Sequence, residues 1–251
     1  MKIYRFLHDQ TPAIGVAAGD RLIRYSGSTV FDPGSATRDS IALSDATLLA
    51  PVVPPKVVAV GRNYSEHAKE LGNEAPSEPI IFLKPPTAVL APGGTIVRPP
   101  QSQRVDHECE LAIVIGRKAR NVSKSQWRDY VAGFTCANDV TARDLQKKDV
   151  QFTRGKSFDT FLPLGPCVET DLDPADLSLV TRVNGEVKQN GRTSAMIFPC
   201  DFLLEFITAI MTLEPGDVIL TGTPAGVGPL AAGDRVEVEV QGIGVLRNVV
   251  A

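Results

Sequence analysis

The chain of 251 residues has a net charge of −3, with 43% hydrophobic and 22% charged residues. These proportions are typical of a globular protein, and the slight negative charge offers no basic footprint for nucleic acid. No apolar run approaches the roughly 18–20 residues that span a bilayer, and Met1–Phe6 lacks the long apolar core of a secretion signal. The four cysteines have no CxxC spacing. They indicate buried thiols, so we expect a cytoplasmic protein. From the net charge and the short apolar runs, we expect no nucleic-acid or membrane partner.

The first fifty residues differ from the rest of the chain. They predict short strands at 3–6, 14–17 and 21–23, separated by polar turns, and no spacing among them is typical of catalysis. The run Pro51–Pro55 then predicts a stiff junction, because proline fixes its own φ and keeps the preceding residue extended. We therefore expect a small N-terminal β-rich domain over residues 1–50 and a main domain over residues 56–251.

Short apolar runs separated by glycine, proline and aspartate turns fill the main segment. They predict strands at 56–61, 80–83, 111–115, 178–183, 218–220 and 236–240. Asn184-Gly185 predicts a hairpin turn, because a type I′ turn needs positive φ at both residues. The best helix candidates are residues 65–71, 124–132 and 199–211. Together these elements predict a β-rich α+β fold.

Two glutamates stand at the head of the apolar strand 111–115, in the tripeptide Glu108-Cys109-Glu110. Side chains alternate along a strand, so Glu108 and Glu110 share one face, with Cα atoms about 6.5–7 Å apart. If buried, the two carboxylates would repel and lose hydration unless a cation lay between them. An all-oxygen site favours Mg²⁺ or Mn²⁺ over Zn²⁺. The alternative is an exposed strand end with two surface glutamates.

Further polar residues follow at intervals that allow several interpretations. Asp139 precedes Arg143 and Gln146, Lys156 lies in a glycine-flanked segment, and Thr223 lies in a tight turn after an apolar strand. Asp139 and Arg143 are four residues apart and suit a surface ion pair equally well. Lys156 alone is compatible with a solvated lysine, and Thr223 with a plain turn.

Taken together, these residues resemble the fumarylacetoacetate hydrolase family in order and spacing, from residue 56 to the end of the chain. The matching pieces are Gly61-Arg62-Asn63-Tyr64 with His67 and Glu70, Phe82-Leu83-Lys84-Pro85, Asp106-His107-Glu108-Cys109-Glu110-Leu111, Asn138-Asp139-Val140-Thr141-Ala142-Arg143-Asp144 with Gln146, Lys156-Ser157-Phe158-Asp159, Val183-Asn184-Gly185 and Thr221-Gly222-Thr223-Pro224-Ala225-Gly226-Val227-Gly228. One departure is Phe152, where close relatives often carry tryptophan.

The resemblance implies a mixed β-roll as the catalytic domain, with the first fifty residues as a small N-terminal β appendage. It also implies a Mg²⁺ or Mn²⁺ ion bound by Glu108, Glu110 and Asp139, with Ca²⁺ as an alternative in crystals, and a homodimer. Three carboxylates do not fill an octahedral shell, so a small keto acid or dicarboxylate substrate can occupy the remaining positions. The ion would then act as a Lewis acid on the keto group.

The reaction that the resemblance implies is cleavage of a C–C bond beside the chelated keto acid. Acylpyruvate hydrolysis and oxaloacetate decarboxylation are the two forms that we expect. Lys156 and Arg143 would place positive charge beside the developing oxyanion, and Gln146 would donate a hydrogen bond to it. Thr223, with the N–H groups of its turn, would bind the substrate carboxylate.

His67 and Glu70 are expected to supply proton transfer. Residues three apart on a helix share one face, so Glu70 can orient the imidazole and raise its basicity. The alternative is an exposed helix with a polar face. In hydrolytic and decarboxylating relatives this segment resembles a lid. Its few apolar residues predict a mobile stretch over Asn63–Gly72.

His107, in contrast to His67, is expected to be structural. Side-chain alternation along the strand makes it face away from Glu108 and Glu110.

Two other functions stay open at this point. One is an isomerase of the 2-hydroxyhepta-2,4-diene-1,7-dioate or 5-carboxymethyl-2-hydroxymuconate type, as used in aromatic catabolism, because an isomerase also needs an acid and a base. The other is a catalytically silent protein that binds a dicarboxylate. The acidic and basic residues of the family motifs are all present, which favours an enzyme, since a silent protein has no need for buried charges of this kind.

Overall fold

The computed structural model describes residues 1–251 as nineteen strands, four α-helices and five short 3₁₀ helices. The strands are β1 (Lys2–His8), β2 (Thr11–Ala18), β3 (Arg21–Tyr25), β4 (Ala36–Ala42), β5 (Val57–Gly61), β6 (Ile80–Lys84), β7 (Val89–Leu90), β8 (Thr95–Ile96), β9 (Val105–His107), β10 (Cys109–Ile115), β11 (Val131–Asn138), β12 (Thr141–Ala142), β13 (Leu162–Glu169), β14 (Ser178–Val183), β15 (Glu186–Arg192), β16 (Val218–Leu220), β17 (Gly228–Pro229), β18 (Arg235–Val240) and β19 (Gly244–Val250). The α-helices are α1 (Ser65–Glu70), α2 (Arg143–Lys148), α3 (Thr153–Lys156) and α4 (Cys200–Ile210). The 3₁₀ helices are Leu43–Asp45, Pro86–Ala88, Lys124–Tyr130, Pro174–Asp176 and Thr193–Ala195.

Three sheets organise these strands. The largest has the order β4-β3-β2-β1-β13-β11-β10-β16-β5-β6, with β7 added beside β13. Most of its pairs are antiparallel, whereas β16 and β5 run parallel, so the sheet is mixed. A five-stranded sheet has the order β15-β14-β18-β19-β8, and a three-stranded one has the order β12-β9-β17. The prediction of a strand-rich α+β fold with a mixed β core is confirmed.

The N-terminal strands form one edge of the large sheet. β1 pairs antiparallel with β13, with Ile3 opposite Val168, so hydrogen bonding continues across the junction at residues 51–55. Phe6 is 1% exposed and belongs to the same apolar cluster as residues of β10 and α4. The division into two domains at the proline run stays a prediction.

The core lies on both faces of the large sheet, and β10 shows why. Alternate side chains of this strand point to opposite faces. Leu111 and Ile113 enter the larger apolar cluster, which also contains buried residues of α4, whereas Ala112 and Val114 enter a second cluster. Fully burying one such aliphatic side chain stabilises the fold by about 1.5–3 kcal/mol, so β10 is firmly held between its neighbours. The strand is therefore a rigid support for whatever lies at its N-terminal end.

The local predictions hold with small shifts. Helix α4 matches the expected 199–211 within one residue at each end. The predicted helix at 124–132 is a 3₁₀ helix that ends at Tyr130. Asn184 and Gly185 have φ of 53° and 84° and join β14 to β15, which confirms the hairpin. None of the helices combines the length and the apolar character that crossing a bilayer requires.

Candidate active site

A cavity of about 330 Å³ opens beside the N-terminal end of β10. Every predicted site residue except Glu70 lines it: His67, Glu108, Glu110, Asp139, Arg143, Gln146, Lys156 and Thr223. Residues from β5, β6 and the segment between them, together with Lys147 and Phe152, complete the wall. The expected convergence of distant sequence motifs on one cavity is therefore present in the fold.

Three buried carboxylates meet at the base of this cavity. One oxygen from each of Glu108, Glu110 and Asp139 lies within 4.8 Å of the others. Antiparallel pairing of β10 with β11 places Cys109 opposite Asn138, so Asp139 follows at the level of Glu108. The backbone N–H of Asp139 donates to the carbonyl oxygen of Glu108 at 2.9 Å. Because all three side chains are buried, an exposed strand end with ordinary surface glutamates is excluded.

Lys156 and Arg143 each neutralise part of this acidic cluster. Nζ of Lys156 donates to Oε2 of Glu108 at 2.7 Å and to Oδ2 of Asp139 at 2.6 Å. Arg143 donates to the other oxygen of Glu108. Burial acts to raise the pKa of Glu108, but the charges of Lys156 and Arg143 outweigh it and hold the pKa well below the ordinary value. Burial lowers the pKa of Lys156 less than the nearby carboxylates raise it, so this ammonium stays charged.

Glu110 has no cationic side chain as a partner. Its Oε2 accepts one hydrogen bond, from the backbone N–H of Gly222 at 2.6 Å. Burial, followed by the charges of Asp139 and Glu108, raises the pKa of Glu110 well above the ordinary value. Gly222 has φ of +97°, and a Cβ there would lie 2.6 Å from the Cβ of Asn63, so only glycine suits this position.

The donor set of this cluster fits a divalent cation. The ligands are all carboxylate oxygens, they are buried, and their oxygens are close enough to share one ion. Hard cations such as Mg²⁺, Mn²⁺ and Ca²⁺ prefer such ligands. Burial and, after it, repulsion by Asp139 and Glu108 raise the pKa of Glu110, and a bound cation would relieve that repulsion. None of the three carboxylates comes from the first fifty residues.

His67 and Glu70 form a hydrogen-bonded pair on α1. Nδ1 of His67 lies 3.2 Å from Oε2 of Glu70, and the imidazole is buried at the cavity wall. The carboxylate of Glu70 also accepts from the backbone N–H of Gly226, at 3.1 and 3.2 Å to its two oxygens. Glu70 therefore lies behind the imidazole and connects α1 to the turn that contains Thr223.

The segment that carries this pair is anchored more firmly than its sequence indicates. Asn63 is fully buried, and its side-chain N–H groups donate to the carbonyls of Phe198 at 2.9 Å and Thr221 at 2.7 Å. Its side-chain oxygen accepts from the N–H of Phe198 at 2.7 Å. Tyr64 and Ala68 are also buried. The start of the stretch is therefore anchored mainly by the polar side chain of Asn63, and mobility of the lid stays a prediction.

Arg143 does not form the surface ion pair with Asp139 that their spacing allowed, and it contacts Gln146 instead. Nε of Arg143 donates to Asp106 at 2.9 Å, and its Nη2 donates to Glu108. Nη1 of Arg143 donates to Oε1 of Gln146 at 2.6 Å, which leaves the amide N–H groups of Gln146 free. The guanidinium is thus fixed in orientation by two carboxylates, as a planar fork of donors allows.

The turn at Thr223 presents a hydroxyl group but not all of its backbone donors. Oγ1 of Thr223 accepts from Nε2 of Gln189 at 2.8 Å, so its own hydrogen is free to donate into the cavity. The N–H of Gly222 already donates to Glu110. This N–H therefore orients a member of the acidic cluster, and the role of Thr223 in binding the substrate carboxylate stays a prediction.

Two buried residues complete the site but were not predicted as site residues. Lys84, at the end of β6, donates to Oδ1 of Asp139 at 2.5 Å. Its position as the one charged residue at the end of an apolar strand is the sequence feature that could have indicated a site residue. Gln189 accepts from the N–H of Cys109 at 3.0 Å and lies 3.0 Å from Nδ1 of His107. No sequence signal distinguishes Gln189 from other hairpin residues. His107 is outside the cavity lining, in agreement with a structural role.

Known proteins resemble this chain in sequence over most of its length. The sequence profile described as "Fumarylacetoacetate (FAA) hydrolase C-terminal" matches residues 56–251, and one described as "Rv2993c-like, N-terminal" matches residues 1–51. An uncharacterized protein of Methanocaldococcus jannaschii is 55% identical over 208 residues, covering 83% of this chain and 88% of that protein. Human mitochondrial oxaloacetate tautomerase FAHD2A is 47% identical, covering 82% of this chain and 69% of its own.

Solved structures show the same similarity at the level of the fold. The crystal structure of 5-carboxymethyl-2-hydroxymuconate delta-isomerase from Mycobacterium smegmatis superimposes with a TM-score of 0.93 at 45% identity. The superposition covers 100% of this chain and 99% of that one. The chain belongs to the fumarylacetoacetate hydrolase family. It is an enzyme of that family, with an acidic cluster suited to a metal and a cavity suited to a small-molecule substrate.

Proposed function

We propose that this protein is a divalent-metal-dependent enzyme that moves a proton at the carbon beside the keto group of a small 2-keto acid, interconverting its keto and enol forms. The observation that carries the proposal is the position of the His67–Glu70 pair on the same cavity as the acidic cluster and Lys156. A base, a positive charge and a candidate metal site on one cavity are the components that enolisation needs. The name of the human relative, oxaloacetate tautomerase, supports this choice.

The metal is proposed to be Mg²⁺ or Mn²⁺, held by Glu108, Glu110 and Asp139. When bound, it supplies Lewis-acid polarisation of the keto oxygen. The positive charge of such an ion would offset the repulsion among the three buried carboxylates.

His67 is proposed as the group that carries the proton. With Nδ1 hydrogen-bonded to Glu70, the second ring nitrogen is free to accept a proton from the substrate carbon and to return it. The carboxylate of Glu70 stabilises the imidazolium that forms. Lys156 has a raised pKa, which makes it a poor proton donor, so its role is to stabilise negative charge on the enolate. Arg143 adds a second fixed positive charge on the same wall.

Gln146 and Thr223 are proposed to position the keto acid. The free amide N–H groups of Gln146 and the hydroxyl of Thr223 are neutral donors on the cavity wall. Phe82 and Phe152 meet edge to face, with ring centroids 5.6 Å apart, and both line the cavity. These apolar rings reduce water access, which strengthens the electrostatic interactions inside the site.

C–C bond cleavage is the second candidate, and Lys156 is the observation that favours it. Decarboxylation of oxaloacetate leaves an enolate, and a buried ammonium stabilises that enolate whichever bond has broken. Acylpyruvate hydrolysis requires in addition a water activated by His67. Isomerisation of a hydroxymuconate-type dienoate uses the same proton transfer, and the M. smegmatis structure supports it. A silent binding protein has no use for the His67–Glu70 pair.

One substrate screen separates these reactions. Oxaloacetate, acetylpyruvate and a hydroxymuconate-type dienoate are each supplied with Mg²⁺ or Mn²⁺, and enol–keto interconversion, pyruvate release and acyl cleavage are followed separately. We expect rapid metal-dependent keto–enol interconversion of oxaloacetate. Full turnover in excess EDTA contradicts the metal proposal, and no acceleration with any of the three substrates contradicts the proposed function.

A homodimer is also proposed, on the family resemblance alone. Light scattering at micromolar concentration is expected to give twice the mass of the chain. A strictly monomeric species contradicts this proposal without affecting the proposed chemistry.

A further inference from the structure

Two cationic side chains on the cavity wall, Arg62 and Lys147, have no partner in the protein. Neither forms a salt bridge, and neither side chain donates a hydrogen bond to another residue, although both line the cavity. The other two cations of the wall, Arg143 and Lys156, are committed to Glu108, Asp139 and Asp106. The uncompensated positive charge of the cavity therefore belongs to Arg62 and Lys147.

Their exposure places these charges toward the opening of the cavity. Arg62 is half-buried and Lys147 is exposed, whereas the acidic cluster with Arg143 and Lys156 is buried. The cavity thus has a buried interior that contains the acidic cluster and the cations paired with Glu108 and Asp139, and a cationic entrance. The apolar rings of Phe82 and Phe152 also contribute to its wall.

The backbone holds Arg62 in a conformation that arginine rarely adopts. Its φ is +58°, in the left-handed region that is uncommon for residues other than glycine. Gly61 on one side ends β5, and Asn63 on the other is fixed by three side-chain hydrogen bonds. Unfavourable backbone conformations that are held in this way occur often at functional sites. The backbone at Arg62 is therefore held in place by its neighbours on both sides.

We propose that Arg62 and Lys147 form a subsite for the second carboxylate of a 2-keto dicarboxylate substrate. This inference rests on the proposed function, in which the keto-acid end of the substrate lies at the acidic cluster. A guanidinium binds a carboxylate through two parallel N–H donors, and an ammonium adds a compact charge. The substrate class is then a keto acid whose distal end is a carboxylate rather than a methyl or an acyl group.

A matched pair of probes isolates this subsite. Oxaloacetate and its 4-ethyl ester share the keto-acid end and differ in the distal carboxylate, which the ester masks. The wild-type protein is expected to favour oxaloacetate in kcat/KM for keto–enol interconversion. In Arg62→Gln that preference is expected to fall by at least about tenfold, mainly through KM, because a charge-assisted bidentate contact is lost. Lys147→Gln is expected to give a smaller decrease in the same direction.

Two further variants serve as controls. Lys148→Gln removes an exposed charge from the residue next to Lys147 that does not line the cavity, so kinetics are expected to match wild type for both probes. Arg62→Lys keeps the charge without the guanidinium fork and is expected to recover part of the preference. This recovery distinguishes a contact with the carboxylate from a role of Arg62 in folding.

Three results overturn the subsite. They are equal losses for oxaloacetate and the ester in Arg62→Gln, no loss for either, or a wild-type protein that does not discriminate between them. Calorimetric binding of oxaloacetate and of the ester to the metal-loaded protein tests the same preference without turnover. If the wild-type protein binds oxaloacetate more tightly than the ester but converts neither, the proposed function fails while the subsite stands.

Discussion

Nδ1 of His67 lies 3.2 Å from the carboxylate of Glu70, and that carboxylate also accepts from the backbone N–H of Gly226. The same side chain therefore orients the imidazole and attaches α1 to the loop that follows Thr223. A carboxylate behind an imidazole selects the tautomer with the proton on the facing nitrogen and stabilises the charged ring. Glu70 thus connects the proposed proton-transfer group, His67, to the turn on the opposite side of the carboxylate.

Replacing the imidazole tests this assignment. His67→Ala is expected to lower the catalysed rate of keto–enol interconversion by about 10²–10⁴-fold, because the base is lost. Metal affinity is expected to change little, since the imidazole is not a proposed ligand. Stopped-flow kinetics and metal titration of the same variant provide the two measurements.

The control for this variant is His8→Gln, which alters a histidine on β1 that does not line the cavity. If acylpyruvates are substrates, their hydrolysis is expected to fall as strongly in His67→Ala, whereas oxaloacetate decarboxylation falls less, because its C–C cleavage depends on stabilisation of the enolate. Wild-type rates in His67→Ala for every substrate would show that His67 is not the base.

Removing Glu110 is expected to abolish activity and metal binding without unfolding the protein. Glu110→Gln deletes one of three repelling buried carboxylates while the side chain still fills its space. Circular dichroism and a metal titration measure the two effects, with Glu186→Gln on the exposed hairpin as the control. A variant that retains full metal-dependent turnover would remove Glu110 from the site.

Metal binding is expected to be linked to pH through Glu110. Burial and the charges of Asp139 and Glu108 raise the pKa of this carboxyl, so in the metal-free protein it retains its proton at a pH where an ordinary glutamate is ionised. A cation must displace that proton, so affinity is expected to rise with pH and binding to release a proton. Titration calorimetry of Mg²⁺ in buffers with different ionisation enthalpies measures the number of protons released.

The same shift has a defined effect on the stability of the metal-free protein. The folded state binds more protons at Glu110 than the unfolded chain does, so this stabilising contribution is present at low pH. It is lost as pH rises from the unfolded pKa through the raised folded pKa. Denaturation curves in EDTA, compared with those of Glu110→Gln, are expected to show the difference. An identical pH dependence in both proteins would contradict the raised pKa.

Lys84 is expected to be a strong determinant of stability. Its ammonium is fully buried against Asp139 at 2.5 Å, and removing one member of a buried ion pair typically costs about 3–5 kcal/mol. Because Asp139 keeps Lys156 as a partner, Lys84→Met is expected to lower the free energy of unfolding by an amount near the lower end of this range, as measured by urea denaturation. The control, Lys69→Met, removes an exposed lysine paired with Glu66 and is expected to cause no measurable change. Equal stability of Lys84→Met and wild type would contradict this prediction.

Several features of the site follow from local sequence. The alternation of side chains along a strand is a property of the backbone, and it places Glu108 and Glu110 on one face and His107 on the other. The three-residue spacing of His67 and Glu70 predicts their contact, because adjacent turns of a helix bring such side chains together. The hairpin at Asn184 is likewise local, since the turn type depends on the φ that its two residues can adopt.

The partners of these residues depend on the tertiary structure. Pairing of β10 with β11 brings Asp139 beside Glu108. Strand β6 and helix α3 each contribute a buried lysine, Lys84 and Lys156, that pairs with Asp139. Sequence spacing allowed Arg143 to pair with Asp139, but in the fold it pairs with Glu108 and Asp106. Hydrogen bonds and ion pairs between distant segments are decided by the order of strands in the sheet. That order results from burial of both faces of the sheet at once, so no local sequence pattern specifies it.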